Sequence, residues 1–135
     1  MESASLALRK AVIARLAGDA AVVAALGGAR IYDDVPTRAE FPYLTLASSS
    51  ERDWSTGSDV GFEHALTLHV WSRATGRKQA ETAMAAALTA LHDQPLSLTG
   101  HRLINLRHEF SDARRDADGE TVHGALRFRA VTEVV

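Results

Sequence analysis

The sequence predicts an α+β domain: a mainly antiparallel sheet with helices packed on one face, in the order α-α-β-β-β-α-β-β-β. Three observations predict it. Within Gly61 to Leu91 the hydrophobic period changes from two to about 3.6 at a single turn, so a strand passes directly into a helix. Two alternating stretches close the chain, one through Ile104, Leu106 and Phe110 and the other through Val122, Leu126, Phe128 and Ala130. The chain opens instead at helical spacing, with Leu8, Val12, Ile13 and Leu16 on one arc. Its 135 residues fit a single domain, 1–135, large enough to bury a core without staples.

Ser3 is placed to cap the first helix and Gly18 to stop it. Arg9 falls inside the apolar arc, where its stem can snorkel or its head can meet another subunit. Asp19 caps a second, short helix through Leu26, with Val22, Val23 and Leu26 inward and Gly27-Gly28 ending it. Arg30 to Tyr32 form a brief edge strand. Asp33 to Glu40, with Pro36 and three acids, make an exposed crossing loop. Pro42 opens a strand through Tyr43 to Ala47 that extends to Trp54, and Thr56-Gly57-Ser58-Asp59 form the tip of a long hairpin into Gly61.

Along the next strand Phe62, His64, Leu66, Leu68 and Val70 face one way, while Glu63, Thr67 and His69 face the other. Ala65 and Trp71 make that outer face less than fully polar. Past the turn at Ser72 to Gly76, Ala80, Met84, Ala87, Leu88 and Leu91 line one stripe of a helix, whose alanines allow close approach to the sheet. Asp93 to Pro95 end it. Leu96 to Leu98 with Thr99-Gly100 predict a short strand and a turn. In the closing hairpin, paired residue numbers should sum to an even value, which puts Glu109 and Arg127 together on the outer face.

Composition excludes several functions. There is no cysteine, so disulfides, thiolate metal sites and cysteine nucleophiles are out. No apolar run approaches membrane-spanning length, and the amino terminus is unlike a secretory signal, so synthesis in the cytoplasm is expected. A formal net charge of -2 argues against a protein whose main task is coating nucleic acid, and no sequence-specific nucleic-acid partner is expected.

No catalytic, cofactor-binding or metal-ligating constellation emerges. His64 and His69 lie an odd number apart in one strand, as do His101 and His108, so neither pair can chelate. His64 and His108 read as hydrogen-bonded core or interface histidines, and His92 as favouring a helix end. Asp116 to Glu120 resembles part of a calcium loop, but its register puts Arg114 and Ala125 at ligand positions. No G-x-S-x-G is present, and Ser48-Ser49-Ser50 has no nearby histidine.

Two polar features remain as binding candidates. They are Glu51-Arg52-Asp53-Trp54 at the hairpin and Arg114-Arg115 in the late loop. An aromatic beside charges in an exposed loop matches the anchors of protein interfaces, and the mixed signs suit subunit contacts better than DNA.

The ordered segments resemble a known family, the tail-terminator or tail-completion proteins of long-tailed phages and gene transfer agents. The carriers are Gly28-Ala29-Arg30-Ile31-Tyr32, Pro36, Phe41-Pro42-Tyr43-Leu44-Thr45-Leu46, Leu66 to Ser72 with Trp71, the Gly76 turn, the alanine-rich helix and the strand His123 to Arg129. The resemblance implies a non-enzymatic virion part: a homo-oligomer, a hexameric ring, that binds the last tail-tube ring, stops tube growth and offers a joining surface to a head-completion or neck protein. It places the chain at the head-tail junction of the particle. The Arg- and Ala-rich composition points to a high-GC bacterial source and leaves phage, prophage and gene transfer agent open. The competing readings are a head-completion or neck protein, and a small enzyme or ligand-binding domain with His64 or His108 at the floor of a pocket between helix and sheet.

Overall fold

The structure, a computed structural model, describes residues 2–135. Its elements are α1 (Ala4–Ala17), α2 (Ala20–Leu26), β1 (Ile31–Tyr32), β2 (Tyr43–Asp53), β3 (Gly61–Ser72), α3 (Lys78–Leu91), β4 (Ser97–Leu98), β5 (His101–Arg115) and β6 (Val122–Val134). They form an α+β domain. The caps work as the sequence requires: the side chain of Ser3 accepts from Leu6 N–H and that of Asp19 from Val22 N–H, each satisfying a donor the helix itself cannot. Gly27 ends α2 with φ 77°, a left-handed conformation that favours glycine.

Six strands form one sheet in the order β1-β2-β3-β6-β5-β4. The expectation of a mainly antiparallel sheet is corrected here, since the sheet is mixed: β1 lies parallel to β2, with Ile31 opposite Leu44. The parallel pairing follows from the crossing loop, Asp33 to Glu40, which carries the chain back across the end of the sheet before β2 begins. β2, β3, β6 and β5 pair in antiparallel fashion, and β4 adds two residues beside the start of β5.

The helices cover one face. Leu44, Leu46, Leu66, Leu68, Val70, Leu106, Leu126, Phe128 and Ala130 point toward them and are buried with Leu8, Val12, Leu16, Val22, Leu26, Ala80, Met84, Ala87 and Leu91. Each fully buried leucine of this set contributes about 1.5–3 kcal/mol relative to exposure. Gly124 sits directly beneath α3, and a Cβ there would overlap the Met84 sulfur. The absence of a side chain therefore sets how closely α3 lies on β6. Arg9 uses its guanidinium within the chain, donating to Ser49 Oγ at 3.1 Å and the Leu46 carbonyl at 3.2 Å and pairing with Asp33.

The closing hairpin departs from the simple alternation. β5 carries two bulges, at Ile104 and Glu109, so the even-sum register holds only from Asn105–Val131 to His108–Phe128. Each bulge inserts one unpaired residue and reverses the faces beyond it. Consequently Leu106 is buried while Ile104 and Phe110, expected on the same face, are 49% and 54% exposed. Glu109 has no direct partner, and Phe110 stands opposite Arg127 in its place.

Candidate functional site

With three helices on one face, the other face of the sheet is left open. The strand register assigns its residues: Tyr43, Thr45, Ser50 and Arg52 of β2; Glu63, Ala65, Thr67, His69 and Trp71 of β3; His123, Ala125, Arg127, Arg129 and Val131 of β6; and Asn105, Arg107, Phe110, Asp112 and Arg114 of β5. The two ends of this face differ in chemistry.

At the end where β2 passes into β3, Arg52 and Arg129 both donate to Glu63, each with an Nε–O distance of 2.5 Å. The hydrogen bond from Arg129 holds the Glu63 carboxyl below its usual range, with Arg52 adding to the effect. Both guanidinium groups also lie against Trp54, with Cζ atoms 5.7 Å and 5.4 Å from its ring centroid. Trp54 is still 48% exposed, and it shares a shallow groove with Ile104, Val131 and Glu133. Val60 and Val135, 54% and 71% exposed, flank that groove, because Val134 N–H bonds the Val60 carbonyl and Val135 N–H bonds the Gly100 carbonyl. The result is an apolar patch ringed by charges.

The other end is aromatic. Trp71 and His123 stack at 4.0 Å between centroids and within 5° of parallel, and Tyr43, Tyr32 and Phe41 continue the cluster. His69 Nδ1 and His123 Nε2 share a hydrogen bond. Burial lowers both imidazoles, and their mutual repulsion lowers His69 further; Asp116 opposes the effect at His123. Burial likewise raises the Tyr43 phenol.

The structure separates the residues singled out from the sequence. Glu51 is committed internally, accepting from Ser5 N–H at 2.8 Å at the start of α1. Asp53 accepts from the Ser55 hydroxyl at 2.6 Å and shapes the hairpin turn. Arg52 and Trp54 join the end patch. Arg114 and Arg115 lie at the far end of β5, roughly 35 Å along the strands from Trp54 at about 3.3 Å per residue. Arg114 faces the open side opposite His123, whereas Arg115 donates to the Gly119 carbonyl at 3.3 Å.

Sequence reasoning missed Val60, Ile104 and Val135 as partners of Trp54, and the cross-strand pair His69–His123. The signal for the histidines was present in their outward positions on two strands; only the β3–β6 register, which sets His123 opposite Trp71, brings them together. His64 is fully enclosed and bonds Thr132 Oγ1 at 2.8 Å. His108 Nε2 and Ser111 Oγ are 2.7 Å apart, and His108 N–H donates to His92 Nδ1 at 3.0 Å. Neither histidine floors a pocket between helix and sheet, and no three potential metal ligands converge among the described residues. Among the described residues no helix is long and apolar enough to cross a membrane.

Comparison with known proteins bears on the chain as a whole. The family model described as "Tail completion protein gp17" matches residues 10–133. A curated relative, the tail completion protein gp17 of Bacillus phage SPP1, is 28% identical over 89 residues, 66% of this chain and 66% of that protein. That match spans slightly less than two thirds of the relative. The solved structure of SPP1 gp17 has the same fold, with a TM-score of 0.61, 23% identity, and coverage of 94% of this chain and 89% of that one. A chain in the virion of a native gene transfer agent particle is more similar, with 30% identity and a TM-score of 0.90 over 98% of this chain and 99% of that one. The chain therefore belongs to the tail completion protein gp17 family.

Proposed function

We propose that this protein ends the tail tube of a phage or gene transfer agent particle as a non-enzymatic ring of identical subunits, a hexamer, that caps the last tube ring and offers the surface to which the head-completion or neck proteins join. The observation that carries the reading is the whole-chain likeness to a chain of the gene transfer agent virion. A cap works by covering the growing face. Its strength comes from modest contacts repeated by symmetry rather than from one deep pocket.

The open end of the hairpin supplies a surface of that kind. Trp54, Val60, Ile104 and Val135 form an exposed apolar centre, and Arg52, Arg102, Arg129, Glu63 and Glu133 form a polar rim. Interface centres are commonly aromatic and aliphatic within such a rim. We assign Arg52 and Trp54 to a subunit or tube contact on this ground, with Glu51 and Asp53 fixing the hairpin that carries them.

Deletion of the gene tests the function. Without the cap, each added tube ring still presents the same heterologous surface, which has no closure along the axis. Overlong, unjoined tails beside tailless heads are expected in electron micrographs. Tails of normal length joined to heads would reject the assignment.

A further inference from the structure

We infer that the open sheet face is a sequence-independent contact surface for the phosphate backbone of duplex DNA. Its charge differs from that of the whole molecule. The strand residues of this face include six arginines, Arg52, Arg102, Arg107, Arg114, Arg127 and Arg129, against four carboxylates, Glu63, Glu109, Asp112 and Glu133. The chain as a whole has a formal charge of -2, so the strands of this face carry an excess of arginine on a negative protein, although Asp93 and Asp116 flank them.

The arrangement costs folding energy. Arg107 and Arg129 are directly opposite across β5 and β6, and Arg127 is the next residue on the same side of β6. Like charges directly opposite each other in a sheet are destabilising. Internal carboxylates relieve this only in part: Glu63 serves Arg129, and Asp93 lies 3.6 Å from Arg107. Among the described residues Arg127 and Arg114 have no hydrogen bond or ion pair to a side chain. The opposed pair is thus compensated in part within the chain, whereas Arg127 and Arg114 are exposed beside it with no such partner among the described residues and are free to meet an external anion.

The geometry favours a repeating polyanion. From Arg107 to Arg114 the row runs roughly 20 Å along the strands, at about 3.3 Å per residue. A DNA duplex presents a negative charge about every 1.7 Å of its axis, so a line of guanidinium groups meets phosphates whatever the base sequence. Guanidinium forks also match phosphate oxygens in pairs. The row Arg107, Arg127 and Arg114 lies beyond the Trp54 patch, and its binding energy does not depend on tail-length control.

The test uses the purified full chain and a short fluorescent duplex of arbitrary sequence, with anisotropy read across a salt series. Binding near 50 mM salt with a log–log slope of about -3 to -4 is expected for contacts to about four phosphates. Replacing Arg114 and Arg127 together by alanine should reduce that slope by about two and weaken binding at low salt about 10-fold or more, with melting temperature unchanged. The double lysine variant should retain most of the slope. The inference is overturned by no binding at 50 mM salt, by an alanine variant that binds like the parent, or by polyglutamate displacing the duplex as well as unlabelled DNA does. That last result would make the occupant an acidic protein surface. Normal tails in a deletion strain would reject the capping function and leave this binding result standing.

Discussion

The two faces of the sheet are built from the same strands under opposite constraints. On the helix side, Leu46, Leu68 and Leu126 stand in a row across β2, β3 and β6, each at most 1% exposed. On the open side the same three strands present Thr45, His69 and Ala125 in one row and Arg52, Glu63 and Val131 in another, with Arg129 two residues along β6 from Val131. The first row is apolar and has one solution. The second carries opposed arginines, an exposed tryptophan and a histidine pair, which stability alone would not select. The difference puts the core on one face and leaves the other for the interactions proposed above.

The largest effect is expected from breaking the covered face. Leu68→Asp places a charge at a fully buried position between Leu46 and Leu126 and should cost roughly 3 kcal/mol or more, a large share of the about 5–15 kcal/mol that holds a domain folded, so unfolding is the expected outcome. Circular dichroism and a melting curve measure it. A soluble variant that melts cooperatively near the parent temperature would disprove the placement of β3 at the centre of the core.

This covered face was legible in the sequence because its signal is local. The period-two pattern of β3, the alanine stripe of α3, the Ser3 and Asp19 caps and the Gly27 stop each depend on neighbours within a few residues. The mixed sheet was not legible, since the parallel pairing of Ile31 with Leu44 is a tertiary event set by a crossing loop. Nor were the bulges at Ile104 and Glu109, which leave hydrophobic composition unchanged while reversing faces. The candidate surface was half legible for the same reason. Trp54 and Arg52 showed themselves by composition, whereas Val60, Ile104 and Val135 became their neighbours only through the sheet's end, and the two arginine candidates proved to be far from Trp54.

A moderate effect on both faces is expected from acid. Burial lowers the imidazoles of His64, His69 and His123, His64 beneath the helices and the other two on the open side. In the window between the unfolded value of about 6.5 and each lowered folded value, the unfolded chain binds more protons, so stability rises with pH. Their contribution is complete above about pH 6.5 and is lost as pH falls through the folded values. Glu63 and Asp118, the latter held at about 2, titrate lower still and leave the window near pH 6 to histidine. Melting temperature should therefore drop progressively on acidification from pH 7 to pH 5. His64→Gln, which keeps a polar partner for Thr132, should flatten that slope in part. A melting temperature that is constant or rises over this range would contradict the burial of neutral imidazoles.

The smallest effect on folding, and the sharpest contrast between the faces, is expected from replacing Arg52 and Trp54 together by alanine. Trp54 lies in an exposed stretch, its contacts are two guanidinium groups rather than the core, and Arg52 leaves Arg129 to hold Glu63 when it is removed. Surface ion pairs of this sort contribute about 0–1 kcal/mol, so the melting temperature should change by a few degrees at most. An interfacial aromatic, in contrast, can carry about 2 kcal/mol or more of binding, and a ring multiplies the loss at every repeated contact. Sedimentation of the purified variant should show fewer assembled rings, and electron microscopy should show tubes that it fails to cap. If the variant assembles and caps like the parent while Leu68→Asp unfolds, the covered face is confirmed and the Trp54 end is not an interface, which leaves the arginine row as the side of the sheet that meets a partner.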